Sequence, residues 1–172
     1  MRLLSLLTVL LALATTSACD GGDGVVDLSS PAFEDGGPIP ERYSCEGANQ
    51  SPPLEWSDVS GDAVELALVM ADFDTEAGIF HHWVVLGIDP DVRSMAAGRL
   101  PTGAVLARTT SDNAVYIGPC PPAGERHEYL LTLFQLDRRL GLPAGTAPEV
   151  ALDAIDAARL AGEGELRGTY GR

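Results

Sequence analysis

The chain has 172 residues, 45% of them hydrophobic and 21% charged, which is enough for one domain with a substantial core and too apolar for a disordered segment. It carries 25 acidic residues against 11 arginines, has no lysine, and has a formal net charge of −14. This balance excludes nucleic acid as a partner and electrostatic docking on an anionic membrane.

Residues 1–18, MRLLSLLTVLLALATTSA, pair one basic residue with an apolar stretch from Leu3 to Ala14 and then small residues. The stretch is too short to span a bilayer and reads as a signal peptide. Cys19 follows, and TSAC resembles the lipobox of bacterial lipoproteins, in which the cysteine becomes the lipid-bearing N-terminus; Thr16 stands where leucine is usual. The expectation is lipidation of Cys19 and attachment to the cell envelope, the alternative being cleavage after Ala18 and a secreted or periplasmic chain. Without residues 1–18 the balance is 25 acids against 10 arginines, a net charge of −15. Residues 19–24 are the lipidated cysteine and a glycine-rich tether. Residues 25–172 form one domain, with no internal repeat and nothing that divides them into two cores.

AVELALVMADFD alternates strictly: Leu66, Leu68, Met70, Asp72 and Asp74 share one face, and Ala67, Val69, Ala71 and Phe73 the other. Both faces are apolar until the end, so this is a strand buried between two layers whose last positions turn polar. HHWVVLGI and HEYLLTLFQL are two further buried strands, each beginning with histidine. Turn signals recur between these runs (DFDTEAG, IDPD, PTG, PPAG), and helical patterning is weak before residue 146. A mainly β, antiparallel sandwich is expected. TAPEVALDAIDAARLAGEG then reads as a helix on the outside of the sheets, with Thr146 and Glu149 at capping-box spacing, an apolar stripe of Val150, Ala151, Leu152, Ile155, Ala158 and Leu160, and Gly162 as a stop.

GPCPPAGERHEY places three prolines immediately before the third strand, where only a rigid loop fits. Four segments, NQSPPLEW, ADFDTEAGIFHHWVV, YIGPCPPAGERHEY and LRGTYGR, together resemble the successive motifs of the phosphatidylethanolamine-binding protein family in its bacterial Raf-kinase-inhibitor-like branch. The resemblance implies a β-sandwich with an anion pocket at one end of the sheets, a binding protein rather than an enzyme, and a small phosphorylated or phospholipid-headgroup ligand. It places Asp72, His82, His127 and Tyr129 at that pocket. Phe73 stands where the family has proline, and Glu128 where arginine is common.

The residue chemistry agrees with that implication. Imidazoles donate hydrogen bonds to an anion and gain strength as donors on protonation, Asp72 is an acceptor, and backbone amides around Gly118 and Cys120, stiffened by Pro122, complete a concavity. His81 has the opposite parity to His82 and reads as structural, Asp74 as a cap of the following turn, and Trp56 and Trp83 as core aromatics. No metal or cofactor is expected, since the histidines diverge and the cysteines have other uses. Inhibition of a protease or kinase through the surface, and an unrecognised hydrolase, are the alternative functions; Ser51 beside Pro52 suits a turn better than a nucleophile. With Cys19 lipidated, Cys45 and Cys120 remain as an even pair in an exported chain and are expected to form a disulfide.

Overall fold

A computed structural model describes residues 24–172; the expected signal peptide, Cys19 and most of the tether lie outside the described residues. The strands are β1 (Asp27–Ser29), β2 (Gly37–Pro38), β3 (Leu54–Ser57), β4 (Glu65–Asp72), β5 (Phe80–Ile88), β6 (Ser94–Met95), β7 (Val105–Leu106), β8 (Arg126–Leu136) and β9 (Gly164–Gly171), with helix α1 (Pro148–Ala158) between the last two. They form a three-stranded sheet, β1-β3-β6, and a six-stranded sheet, β2-β9-β8-β4-β5-β7. All pairings are antiparallel except the short β2–β9 contact.

The alternation along β4 sorts its side chains into two cores. Leu66, Leu68 and Met70 face the smaller sheet and pack with Leu54, Trp56, Trp83, Leu131 and Leu133. Ala67 and Val69 face the other way, onto Ala151, Ile155 and Ala158 of α1. Each fully buried leucine or methionine contributes about 1.5–3 kcal/mol relative to exposure, and a strand covered on both faces must be apolar on both. Trp56 and Trp83 are core residues, as expected.

α1 differs from its expected form. Pro148 opens it, with Ala147 at the N-cap and no side-chain cap; the Thr146 hydroxyl donates to the Pro143 carbonyl instead. With Pro148 as the first helical residue the N-cap falls on Ala147, so Thr146 and Glu149 are one position out of capping-box register. The helix ends at Ala158, short of Gly162; Val150 faces solvent at 52% exposure, and Leu160 lies beyond the helix.

β9 was not visible as a strand, because Gly164, Gly168 and Gly171 dilute its propensity. Two of these glycines are required by packing. A Cβ on Gly168 would crowd the side chains of Ile39 and Phe33, and one on Gly164 would press on Val26 and Leu28.

Candidate functional site

The central strands converge at one end on a carboxylate. Asp72 closes β4 and pairs in register with Tyr129 of β8 and Phe80 of β5. It is 2% exposed, and its two oxygens have different partners: the Asp74 amide donates to Oδ1 at 2.8 Å, and His127 Nδ1–H donates to Oδ2 at 2.8 Å. Asp74 in turn accepts from the Glu128 amide at 2.8 Å, so it ties the loop after β4 to β8.

His82 reaches the same place through an irregularity. Met70 pairs with Trp83 and Ala71 with His81, so a β-bulge falls at His82. The extra residue turns the His82 ring to the Asp72 side, whereas His81 follows Ala71 to the helix side and meets Thr109, Thr110 and Glu149. His82 Nδ1–H donates to the Ile117 carbonyl at 2.8 Å, and the Ile117 amide donates back to the His82 carbonyl at 3.0 Å. Nε2 of His82 then faces the cavity, 3.9 Å from Asp72 Oδ2.

The two imidazoles are tuned in opposite directions. Burial pushes His82 below the usual histidine value, outweighing its hydrogen bond to Ile117 and the charge of Asp72. Burial acts on His127 too, but hydrogen bonds to Asp72 and Glu125 and the charges of Asp72 and Asp74 outweigh it and hold His127 above that value. His127 Nε2–H donates to Glu125 Oε2 at 3.3 Å. The pair therefore presents one ring that holds its second proton more firmly than an ordinary histidine and one that holds it less firmly.

The cavity around these groups has a volume of about 520 Å³. Asp72, His82, Cys120, Pro122 and His127 line it, joined by Asp74, Glu76 and Glu125. Among the described lining residues there is no arginine. The proline-rich segment forms one wall, held by a Cys45–Cys120 disulfide and by the Cys45 amide donating to the Pro119 carbonyl at 3.1 Å.

Two expected site residues occupy different places. Gly118 does not line the cavity: its amide donates to Asn49 Oδ1 at 2.8 Å, and a Cβ there would overlap the Tyr43 carbonyl. That amide is spent on holding two loops together. Tyr129 is fully buried behind Asp72; its hydroxyl has no hydrogen-bond partner among the described residues, and burial followed by the nearby Asp72 charge raises its pKa. It braces the site from beneath, and its ring meets His82 edge-on at 5.2 Å.

Glu125 and Glu76 were missed as site residues. Glu125 had a signal, since it precedes His127 by two in GERHEY and so shares its side of an extended chain. Glu76 had none, because the loop carrying it has no periodicity. A larger depression of about 640 Å³ beside Trp83, Tyr116 and Arg99 holds no comparable cluster of titratable groups. Among the described residues, no three His, Cys, Asp or Glu side chains are placed to hold a metal ion.

The family model for phosphatidylethanolamine-binding protein matches residues 29–171, nearly the whole described chain. The chain belongs to the phosphatidylethanolamine-binding protein family. LppC, a candidate lipoprotein of Mycobacterium tuberculosis, is 44% identical over 144 residues, covering 83% of this chain and 71% of LppC. A UPF0098 protein of Methanothermobacter thermautotrophicus is 41% identical over 152 residues, covering 86% of this chain and 99% of that protein. Among solved structures, the phosphatidylethanolamine-binding protein homologue CT736 of Chlamydia trachomatis superimposes with a TM-score of 0.80 at 37% identity, over 87% of this chain and 99% of the other. YbcL of E. coli, described as a new member of the mammalian PEBP family, gives a TM-score of 0.80 at 25% identity, over 86% and 98%. This phosphatidylethanolamine-binding protein family member thus shares the two-sheet fold of its relatives.

Proposed function

We propose that the protein is an exported, lipid-anchored binding module whose cavity takes a small phosphorylated amine of the headgroup type. The observation that carries this reading is the opposite tuning of His127 and His82 on one carboxylate. A cationic His127 donates to a phosphate oxygen, which displaces the weakly held, solvent-exposed Glu125 from Nε2. A neutral His82 accepts from a protonated phosphate oxygen or an amine. Asp74, Glu76 and Glu125 around the mouth oppose a bare dianion but suit a ligand that carries its own ammonium group. Binding without turnover is supported by the two lining residues with a hydroxyl or sulfur: Cys120 is bridged, and the Thr75 hydroxyl donates to the Gly78 carbonyl, not to an imidazole. The lipid attachment rests on TSAC at Cys19 and on the likeness to the candidate lipoprotein LppC.

Isothermal titration tests the reading. O-phosphoethanolamine binds more tightly than inorganic phosphate, and His127→Asn weakens it by about 1–3 kcal/mol, the range for a lost charge-assisted hydrogen bond. No binding of either probe, or affinity unchanged from the native chain in both His127→Asn and His82→Ala, overturns it.

A further inference from the structure

The described chain starts at the end of the domain opposite the histidine cavity. The Gly24 carbonyl accepts from Gln135 Nε2 at 2.7 Å, and the Val26 amide donates to the Gly162 carbonyl at 2.9 Å. Gln135 is fully buried, and the Gly24 backbone packs so closely on Gly162 that a Cβ at Gly162, whose φ is +88°, would overlap it. The entry of the chain is therefore pinned to the far end of β8. His127 stands at the near end of the same strand, eight positions before Gln135. At about 3.3 Å per residue, the cavity lies about 26 Å from the point where the chain enters.

Five residue steps separate Cys19 from Gly24, and even fully extended they span at most about 18 Å. The cavity is lined by strand ends and the loops that join them, so it opens at that end of the sheets. A cavity mouth pressed onto the anchoring membrane would lift Gly24 about 26 Å above it, beyond the reach of the tether. Charge acts in the same direction: Asp74, Glu76 and Glu125 at the mouth are repelled by an anionic lipid surface.

We infer that the protein, anchored through Cys19, turns its cavity away from the membrane that holds it and takes its phosphorylated amine from the aqueous phase, not from the headgroups of that membrane. The inference rests on the proposed lipid at Cys19 and on the proposed ligand of the cavity. It changes the class of ligand from a membrane lipid in place to a soluble or released headgroup.

The test uses the mature lipidated chain in vesicles of phosphatidylcholine, with or without a large fraction of phosphatidylethanolamine, and O-phosphoethanolamine as the soluble probe. The expected affinity is the same in both vesicles. Inserting a long glycine-serine segment between Asp23 and Gly24 lets host-membrane phosphatidylethanolamine compete and lowers the apparent affinity. Competition in the native chain overturns the inference, and so does its absence in the lengthened chain, because the tether would then not be the barrier. Orientation is read independently by energy transfer to a lipid-borne acceptor from dyes on Ala77→Cys at the mouth and Ala161→Cys at the far end. Strong transfer from the far end and weak transfer from the mouth are expected, and the reverse overturns the inference. If the probe binds neither in vesicles nor in detergent, the ligand reading fails and the ligand part of the inference with it, while energy transfer still decides the orientation.

Discussion

His127 and Asp72 lie on neighbouring strands of the six-stranded sheet and share a hydrogen bond of 2.8 Å between Nδ1 and Oδ2, with both side chains more than nine-tenths buried. The same carboxylate oxygen stands 3.9 Å from His82 Nε2. One buried acid thus stabilises a proton on one ring, while burial of the other ring disfavours its charged form despite its bond to a backbone carbonyl. The two histidines are consequently unlike in what they offer a ligand.

Binding of O-phosphoethanolamine should weaken as pH rises from 7 to 9. The phosphate is fully ionised throughout that range, its second pKa being about 6, so the change reports loss of the proton from His127, whose pKa is raised. Titration calorimetry across this range checks it. A flat profile that persists in His127→Asn would assign the donor elsewhere.

Stability should respond to the same proton. A histidine whose folded pKa is raised contributes stability that is fully present below about 6.5 and is lost as pH rises through the folded value. His127→Asn therefore costs more stability at pH 6 than at pH 9. His82, whose folded pKa is lowered, acts in the opposite sense: protonation favours the unfolded chain as pH falls below about 6.5. Urea unfolding of the His127→Asn and His82→Gln variants at both pH values separates the two contributions.

Glu125→Gln should tighten binding of inorganic phosphate several-fold. The Glu125 side chain competes for His127 Nε2 at 3.3 Å and places a negative charge at the mouth. Because it is 57% exposed, solvent screens that charge and limits the gain. Weaker phosphate binding in the variant would show that Glu125 supports the ligand instead of competing with it.

Replacing Cys45 and Cys120 by serine should destabilise the domain by about 4 kcal/mol in the chain-entropy account of a cross-link. The bridge joins residues 75 apart and ties the proline-rich wall to the loop after Tyr43. Denaturant unfolding measures the loss, and ligand titration of the folded variant shows whether the wall moves. A change well below 1 kcal/mol would mean that the loops are held by their hydrogen bonds alone.

Gln135→Leu should cost about 2–4 kcal/mol. Gln135 Oε1 accepts from the Ser60 amide at 2.6 Å, and Nε2 donates to Gly24 and Gly162 carbonyls at 2.7 and 2.9 Å. Leucine fills the space but takes the partner from the part-buried Ser60 amide and Gly24 carbonyl, while the Gly162 carbonyl keeps the Val26 amide. Hydrogen exchange at Ser60 and Val26 should rise in the variant; unchanged protection at both would show that the entry of the chain is held by other contacts.

The three long strands, the outer helix and the pairing of the two cysteines were legible in the sequence. Strict alternation along Leu66 to Asp72 identifies a strand with two buried faces, because side chains of an extended chain alternate whatever they pack against. The odd cysteine at position 19 leaves Cys45 and Cys120 as the pair, and the structure bridges them. Asp72, His82, Cys120, Pro122 and His127 were named from the sequence and are brought to one cavity.

What the sequence could not decide depends on contacts between distant segments. Alternation along β5 would put His82 on the face of Val84 and Leu86, toward the helix; only the bulge opposite Met70 and Ala71 turns it to Asp72, and a bulge is set by the pairing of two strands. The Gly118 amide is taken by Asn49, 69 positions away, so a loop that looked like a donor surface is a clamp. β9 looks too glycine-rich for a strand until Ile39, Phe33 and Val26 are seen to occupy the space a Cβ would need. The opposite tuning of His127 and His82 likewise depends on which groups each ring meets after folding. Periodicity reports which face of a segment is buried; the partner on that face, and hence the register, the tautomer and the charge, follow only from how the segments pack together.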